Sequence, residues 1–103
     1  MNLARLQLLE QYAREDPNDP FPRYALALEW VTSDPEKADG MFASILTDHP
    51  GYLPVYYHAA HLKITLGKVP EATLILEKGI QLATASRENK TKAELAALLD
   101  GIE

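Results

Sequence analysis

The chain has 103 residues, of which 47% are hydrophobic and 24% charged, a composition typical of a folded globular domain rather than a disordered segment. Its formal net charge is −5, which argues against nucleic-acid binding because neutralising phosphates requires a concentrated basic surface. Cysteine is absent and no apolar run is long enough to cross a membrane, so we expect a soluble cytoplasmic protein without disulfides or thiolate metal sites.

The first half of the sequence predicts three helices. Leucines at three-residue steps indicate the first helix, over residues 2–15. Two matching start signals follow, Asp19-Pro20 and Asp34-Pro35, in which the aspartate can cap a helix and the proline occupies the first helical position. They predict helices over 20–32 and 35–47.

The second half predicts three more helices. Apolar spacing indicates helices over 53–66 and 70–84, and Gly67 between them is typical of the left-handed residue at a helix end. The run Thr91-Lys92-Ala93-Glu94 matches a capping box and predicts a last helix over about 90–102. No segment alternates with a period of two residues, so the predicted fold class is all-α, with about six helices.

A helical hairpin is repeated within the sequence. Tyr24-Ala25-Leu26-Ala27 aligns with Tyr57-His58-Ala59-Ala60 at an offset of 33 residues, and Ala38 aligns with Ala72 at an offset of 34. A two-helix unit of this period resembles the tetratricopeptide repeat family, whose unit has 34 residues, and the chain is similar to a small, bacterial-type member. Lys63 departs from the family pattern, because an aromatic residue is usual at that position.

The resemblance implies a right-handed superhelix of antiparallel helix pairs that forms one domain over residues 1–103. Within it, 20–50 and 53–84 would be two full repeats. Residues 2–15 would form a leading half-unit helix, and 90–102 a C-terminal capping helix.

In this family the first helix of each repeat lines a concave groove, so the resemblance also implies a partner-binding surface. The expected groove residues are Phe21, Tyr24, Leu28 and Val31 in the first repeat, and Tyr57, His61 and Ile64 in the second. Arg23 and Lys68 are candidate rim residues for contact with an acidic side chain. Tyrosines among aliphatic neighbours suit an apolar peptide or an amphipathic helix, so the expected function is protein–protein interaction as an adaptor or scaffold. An alternative for Tyr24 and Tyr57 is packing against the flanking helices.

No residue pattern predicts catalysis, a cofactor or a metal site. His58 and His61 are three residues apart, a spacing that can bring two imidazoles to one metal, but a structural site normally needs four ligands. The remaining histidine, His49, lies in a predicted turn. The sequence also lacks a nucleophile motif and a glycine-rich phosphate loop, so we expect no enzyme activity.

Self-association is the alternative function. The first helix would expose a face that a preceding half-unit would cover, so Leu3, Leu6 and Leu9 are candidates for a homodimer interface. A membrane partner is not expected, because the leucine stripes lack the basic polar face of membrane-binding helices. The sequence does not identify the partner.

Overall fold

The computed structural model describes residues 2–103, and the secondary structure in that range consists of six helices without a strand. The helices are α1 (Leu3–Glu15), α2 (Pro20–Trp30), α3 (Pro35–Asp48), α4 (Pro54–Thr65), α5 (Val69–Ala85) and α6 (Asn89–Asp100). The predicted all-α class is confirmed, and the helix ends lie within about two residues of the predicted ones.

The predicted helix-start signals are confirmed by their hydrogen bonds. The Asp19 carboxylate accepts a hydrogen bond of 3.0 Å from the backbone N–H of Phe21, and the Asp34 carboxylate accepts one of 3.2 Å from that of Lys37. A proline follows each aspartate at the start of its helix. Gly67 has the expected positive φ, +77°, in the turn between α4 and α5.

The predicted capping box of the last helix is wrong, although the helix begins within one residue of the predicted start. Helix α6 begins at Asn89, so Thr91 lies inside its first turn rather than at the cap. The reason is the tight turn after α5: Arg87 adopts a left-handed φ of +58°, and the Glu88 N–H donates to the Ala83 carbonyl at 2.9 Å. The turn is therefore complete before Asn89, and the helix begins at that residue.

The helices form two compact units, one ending at Pro50 and containing α1 to α3, the other beginning at Gly51 and containing α4 to α6. This boundary lies between the two repeats predicted from the sequence. That residues 1–103 form one domain stays a prediction.

The first unit is held together by apolar contacts between α1 and α2. Leu6 and Leu9 of α1 are buried in one cluster with Ala25 and Leu26 of α2. These two leucines are therefore core residues, and their predicted place in a homodimer interface is wrong. Leu3, by contrast, is 72% exposed.

The second unit has a core shared by α4, α5 and α6. Its largest buried side chains are Tyr56, Leu76 and Leu95, each no more than 1% exposed. Tyr56 on α4 and Leu95 on α6 both lie against Gly79 on α5. Burial of these side chains fixes α6 beside α4. No helix within residues 2–103 combines the length and hydropathy required to cross a membrane.

Candidate functional site

The predicted groove residues of the first unit lie on one face of α2, here called the α2 face: Phe21, Tyr24, Leu28 and Val31. Phe21 is 54% exposed and Leu28 is 37% exposed, while Tyr24 and Val31 are half-buried. The buried residues of α2 are instead Pro22 and the run Ala25-Leu26-Ala27. The α2 face is therefore an apolar surface that the first unit leaves accessible.

Arg23, a predicted rim residue, joins α2 to α3 within the first unit. Its Nη1 donates hydrogen bonds to Ser44 Oγ at 2.9 Å and to Asp48 Oδ2 at 3.0 Å. The guanidinium charge is thus already compensated by a carboxylate. Arg23 as a contact for an acidic partner stays a prediction.

The predicted groove residues of the second unit, here called the α4 face, are Tyr57, His61 and Ile64. Tyr57 and Ile64 are half-buried and His61 is exposed. The Tyr57 ring stacks on the His61 ring one turn along the helix, with centroids 6.2 Å apart and planes 15° apart. It also meets the His58 ring edge to face at 5.5 Å and 82°. These two contacts favour the observed orientation of the tyrosine ring at the surface.

Tyr57 also borders a cleft within the second unit, here called the α4–α6 cleft. The cleft has a volume of about 660 Å³ and is lined by Tyr57 and His58 from α4, and by Glu94, Ala97 and Leu98 from α6. One wall is therefore aromatic, and the other combines apolar side chains with a carboxylate. A volume of this size holds one or two side chains of a bound protein segment.

Four of the five residues that line the cleft were not predicted as site residues. The sequence interpretation assigned Glu94 to a capping box and placed Ala97 and Leu98 only within the predicted C-terminal capping helix. The available signal was the one-turn spacing of Glu94 and Leu98 on α6, which places both side chains on the same side of the helix.

The imidazole of His58 differs electrostatically from an ordinary surface histidine. Partial desolvation of the ring lowers the pKa of His58, and the charge of protonated His61 lowers it further. His58 is therefore largely neutral at pH 7.

Lys68, the second predicted rim residue, precedes α5 and is half-buried. Its backbone N–H donates to the Lys63 carbonyl at 2.8 Å, which closes the turn after α4. Lys68 is not among the residues that line the cleft. Its rim role stays a prediction.

The structure does not assemble the histidines into a metal-ligand set. Across residues 2–103, no three side chains of His, Cys, Asp or Glu converge as they would around a metal ion. His58 and His61 both contact the Tyr57 ring instead.

Two solved structures, both of a tetratricopeptide repeat domain protein from Salinibacter ruber, are similar to this chain. The solution NMR structure is 32% identical in sequence with a TM-score of 0.79, and the match covers 85% of this chain and 90% of that chain. The crystal structure is 30% identical with a TM-score of 0.76, covering 82% of this chain and 94% of that chain.

No protein-family model matches the chain, and no curated protein matches it. The likeness to the solved structures nevertheless extends over nearly their whole length, in sequence as well as in fold. It confirms the resemblance drawn from the repeated hairpin. The chain belongs to the tetratricopeptide repeat family.

Proposed function

We propose that this chain is a non-catalytic adaptor or scaffold that binds a peptide or an amphipathic helix of a partner protein. Its fold is that of a protein–protein interaction module. The proposal goes further and assigns the binding to the α4 face and the adjoining α4–α6 cleft. A cytoplasmic location is part of the proposal, supported by a sequence without cysteine.

The observation that carries the proposal is the position of Tyr57. Its ring is half-buried, in contact with two histidine rings, and placed at the edge of a cleft with an apolar wall. A pre-oriented aromatic side chain loses little conformational entropy on binding, and tyrosine is enriched among residues that dominate interface energies. Tyr57 therefore has the properties of a binding anchor.

The α2 face supports the proposal independently. Phe21 and Leu28 expose large apolar side chains on a helix whose opposite side is buried. Apolar residues one or two turns apart suit the matching stripe of an amphipathic helix. That the α2 face and the α4 face line one groove stays a prediction.

The test selects peptides from a phage-displayed random library on the purified wild-type chain and measures their affinity for variants. We expect apolar or amphipathic sequences to be enriched. Tyr57→Ala should weaken their binding roughly tenfold or more, as expected for an aromatic anchor. Tyr24→Ala measures the contribution of the α2 face in the same assay.

The matched control is Leu74→Ala. Leu74 is 69% exposed on α5 and is not part of either face, so its removal tests whether any loss of exposed apolar surface weakens binding. Circular dichroism of each variant confirms that the helices remain. A library that yields no binder, or binders unaffected by both tyrosine substitutions, contradicts the proposal.

Self-association through α1 is a second candidate, favoured by the exposure of Leu3 and Leu8. Leu8 and Tyr12, both exposed and one turn apart, share the face of α1 that would form a two-fold interface. Light scattering tests it: a monomer throughout the micromolar concentration range removes this candidate. If a dimer is found, the substitutions Leu8→Lys and Tyr12→Lys should dissociate it.

A further inference from the structure

We infer that the α4–α6 cleft receives a basic side chain, arginine or lysine, of the bound protein segment. This inference rests on the proposed function and specifies the chemistry of the segment that is bound. It follows from the charge, the shape and the apolar lining of the cleft.

The charge in the cleft comes from Glu94. Among the five side chains that line the cleft, the Glu94 carboxylate is the one with a formal charge at pH 7, because the lowered pKa of His58 keeps its imidazole neutral. No ion pair among the described residues uses Glu94, although Lys90 lies one turn away on the same helix. The carboxylate is thus available to a cation from outside the chain.

The remaining lining matches the stem of a long basic side chain. Ala97 and Leu98 give an apolar surface on α6, and Tyr57 gives an aromatic surface on α4. Lysine and arginine bury their methylene stems against such surfaces while the charged head stays at a polar edge. Arginine fits best, since its planar guanidinium can donate two parallel hydrogen bonds to one carboxylate.

Other occupants fit less well. An acidic side chain would be repelled by Glu94. A purely apolar side chain would give the exposed carboxylate no partner, so it would forgo the ion pair that a basic side chain forms.

The experiment uses peptides selected on the wild-type chain from a phage-displayed random library at low ionic strength, where exposed charges are least screened. We expect the selected sequences to share an arginine or lysine beside apolar residues. Binding should weaken about fivefold for Glu94→Gln, the size of one exposed ion pair, and about tenfold or more for Glu94→Lys. Glu77→Lys is the matched control, because Glu77 is an exposed glutamate on α5 that does not line the cleft.

The decisive experiment reverses the charge of the peptide residue and the charge of residue 94 together. A peptide in which the shared basic residue is replaced by glutamate should bind the wild-type chain poorly and recover affinity on Glu94→Lys. Peptides whose binding depends on Tyr57 but not on the charge at residue 94 overturn this inference while leaving the proposed function intact. A library that yields no binder overturns both.

Discussion

Gly79 on α5 lies so close to Tyr56 on α4 that a side chain there would have to push Tyr56 and Leu95 aside by a few tenths of an ångström. A Cβ atom at Gly79 would be 3.1 Å from both Cβ and Cδ2 of Tyr56, and 3.0 Å from Cδ1 of Leu95 on α6. The glycine thereby sets how closely the three helices of the second unit approach, and with it the position of α6 opposite Tyr57.

Gly79→Ala should lower the free energy of unfolding by about 1–2 kcal/mol. The added methyl group overpacks a core in which Tyr56 and Leu95 are fully buried, and this cost exceeds the gain of about 1 kcal/mol in helix propensity. Urea denaturation measures the change. Gly40→Ala is the control, because nothing lies within 4 Å of a Cβ at Gly40; there the propensity gain should raise stability by about 1 kcal/mol. Equal stabilisation by both substitutions would mean that the close approach at Gly79 does not exist.

Truncation of the adjacent tyrosines of α4 should lower the free energy of unfolding by very different amounts. Tyr56→Ala should cost about 3–5 kcal/mol, because the ring is buried in the core. Tyr57→Ala should cost no more than about 1.5 kcal/mol, because its ring is half-buried and contacts two histidines at the surface. Chemical denaturation followed by circular dichroism separates the two. Comparable losses would assign Tyr57 to the core and remove it from the binding site.

The Asp34 cap should contribute measurably to the first unit. Asp34→Ala removes the acceptor for the Lys37 N–H at the start of α3 and should lower stability by about 1 kcal/mol. Asp34→Asn keeps a hydrogen-bond acceptor and should therefore retain most of the stability that the cap contributes. Asp100→Ala is the matched control, since Asp100 is the last residue of α6 and caps no helix start. If the midpoint of urea denaturation is unchanged by Asp34→Ala, the hydrogen bond from Lys37 to Asp34 does not stabilise the protein, and the prediction is contradicted.

The chain should lose stability on mild acidification through His58. The pKa of His58 is lower in the folded state than in the unfolded chain, because of desolvation first and the charge of His61 second. The unfolded state therefore binds more protons than the folded state. The stability that depends on a neutral His58 is present above about pH 6.5 and is lost as the pH falls through the folded-state pKa.

NMR titration of the imidazole protons measures that pKa directly. His61→Gln should raise the pKa of His58 only partly, because the larger cause, partial desolvation of the ring, remains. Between about pH 7.5 and about pH 5.5, His58→Gln should lose less stability than wild type. Besides His61 on the same helix, the charged group that faces His58 across the cleft is Glu94 of α6. A His58 pKa at or above that of an ordinary histidine would contradict the prediction.

Most of the fold could be predicted because its signals are local. Asp19 and Asp34 followed by proline define helix starts within a few residues, and Gly67 defines a turn through its own φ. The repeat offset then identified the family, since it reflects stacking of equivalent hairpins. The cap of α6 was misassigned because the left-handed turn before it is made by Arg87, a residue type with no strong preference for that conformation.

The site was predicted only in part, for a related reason. Tyr57 and His61 follow from their repeat positions, but the cleft depends on which side of α6 faces α4. A capping box starting at Thr91 gave Glu94 a purely local role. With the helix starting at Asn89, Glu94 instead lines the cleft with Leu98. The side of α6 that faces α4 is set by the packing of Leu95 in the core. Leu95 packs there against Gly79, which is far from it in sequence.

Chemical-shift mapping tests the central claim most directly: a peptide selected on the wild-type chain is added to the ¹⁵N-labelled protein and the amide resonances are followed. Binding at the α4 face and the α4–α6 cleft predicts that the largest shifts fall in residues 57–61 of α4 and 94–98 of α6. Large shifts confined to α1, or to the exposed side of α5 around Leu74, would show that the partner is held elsewhere.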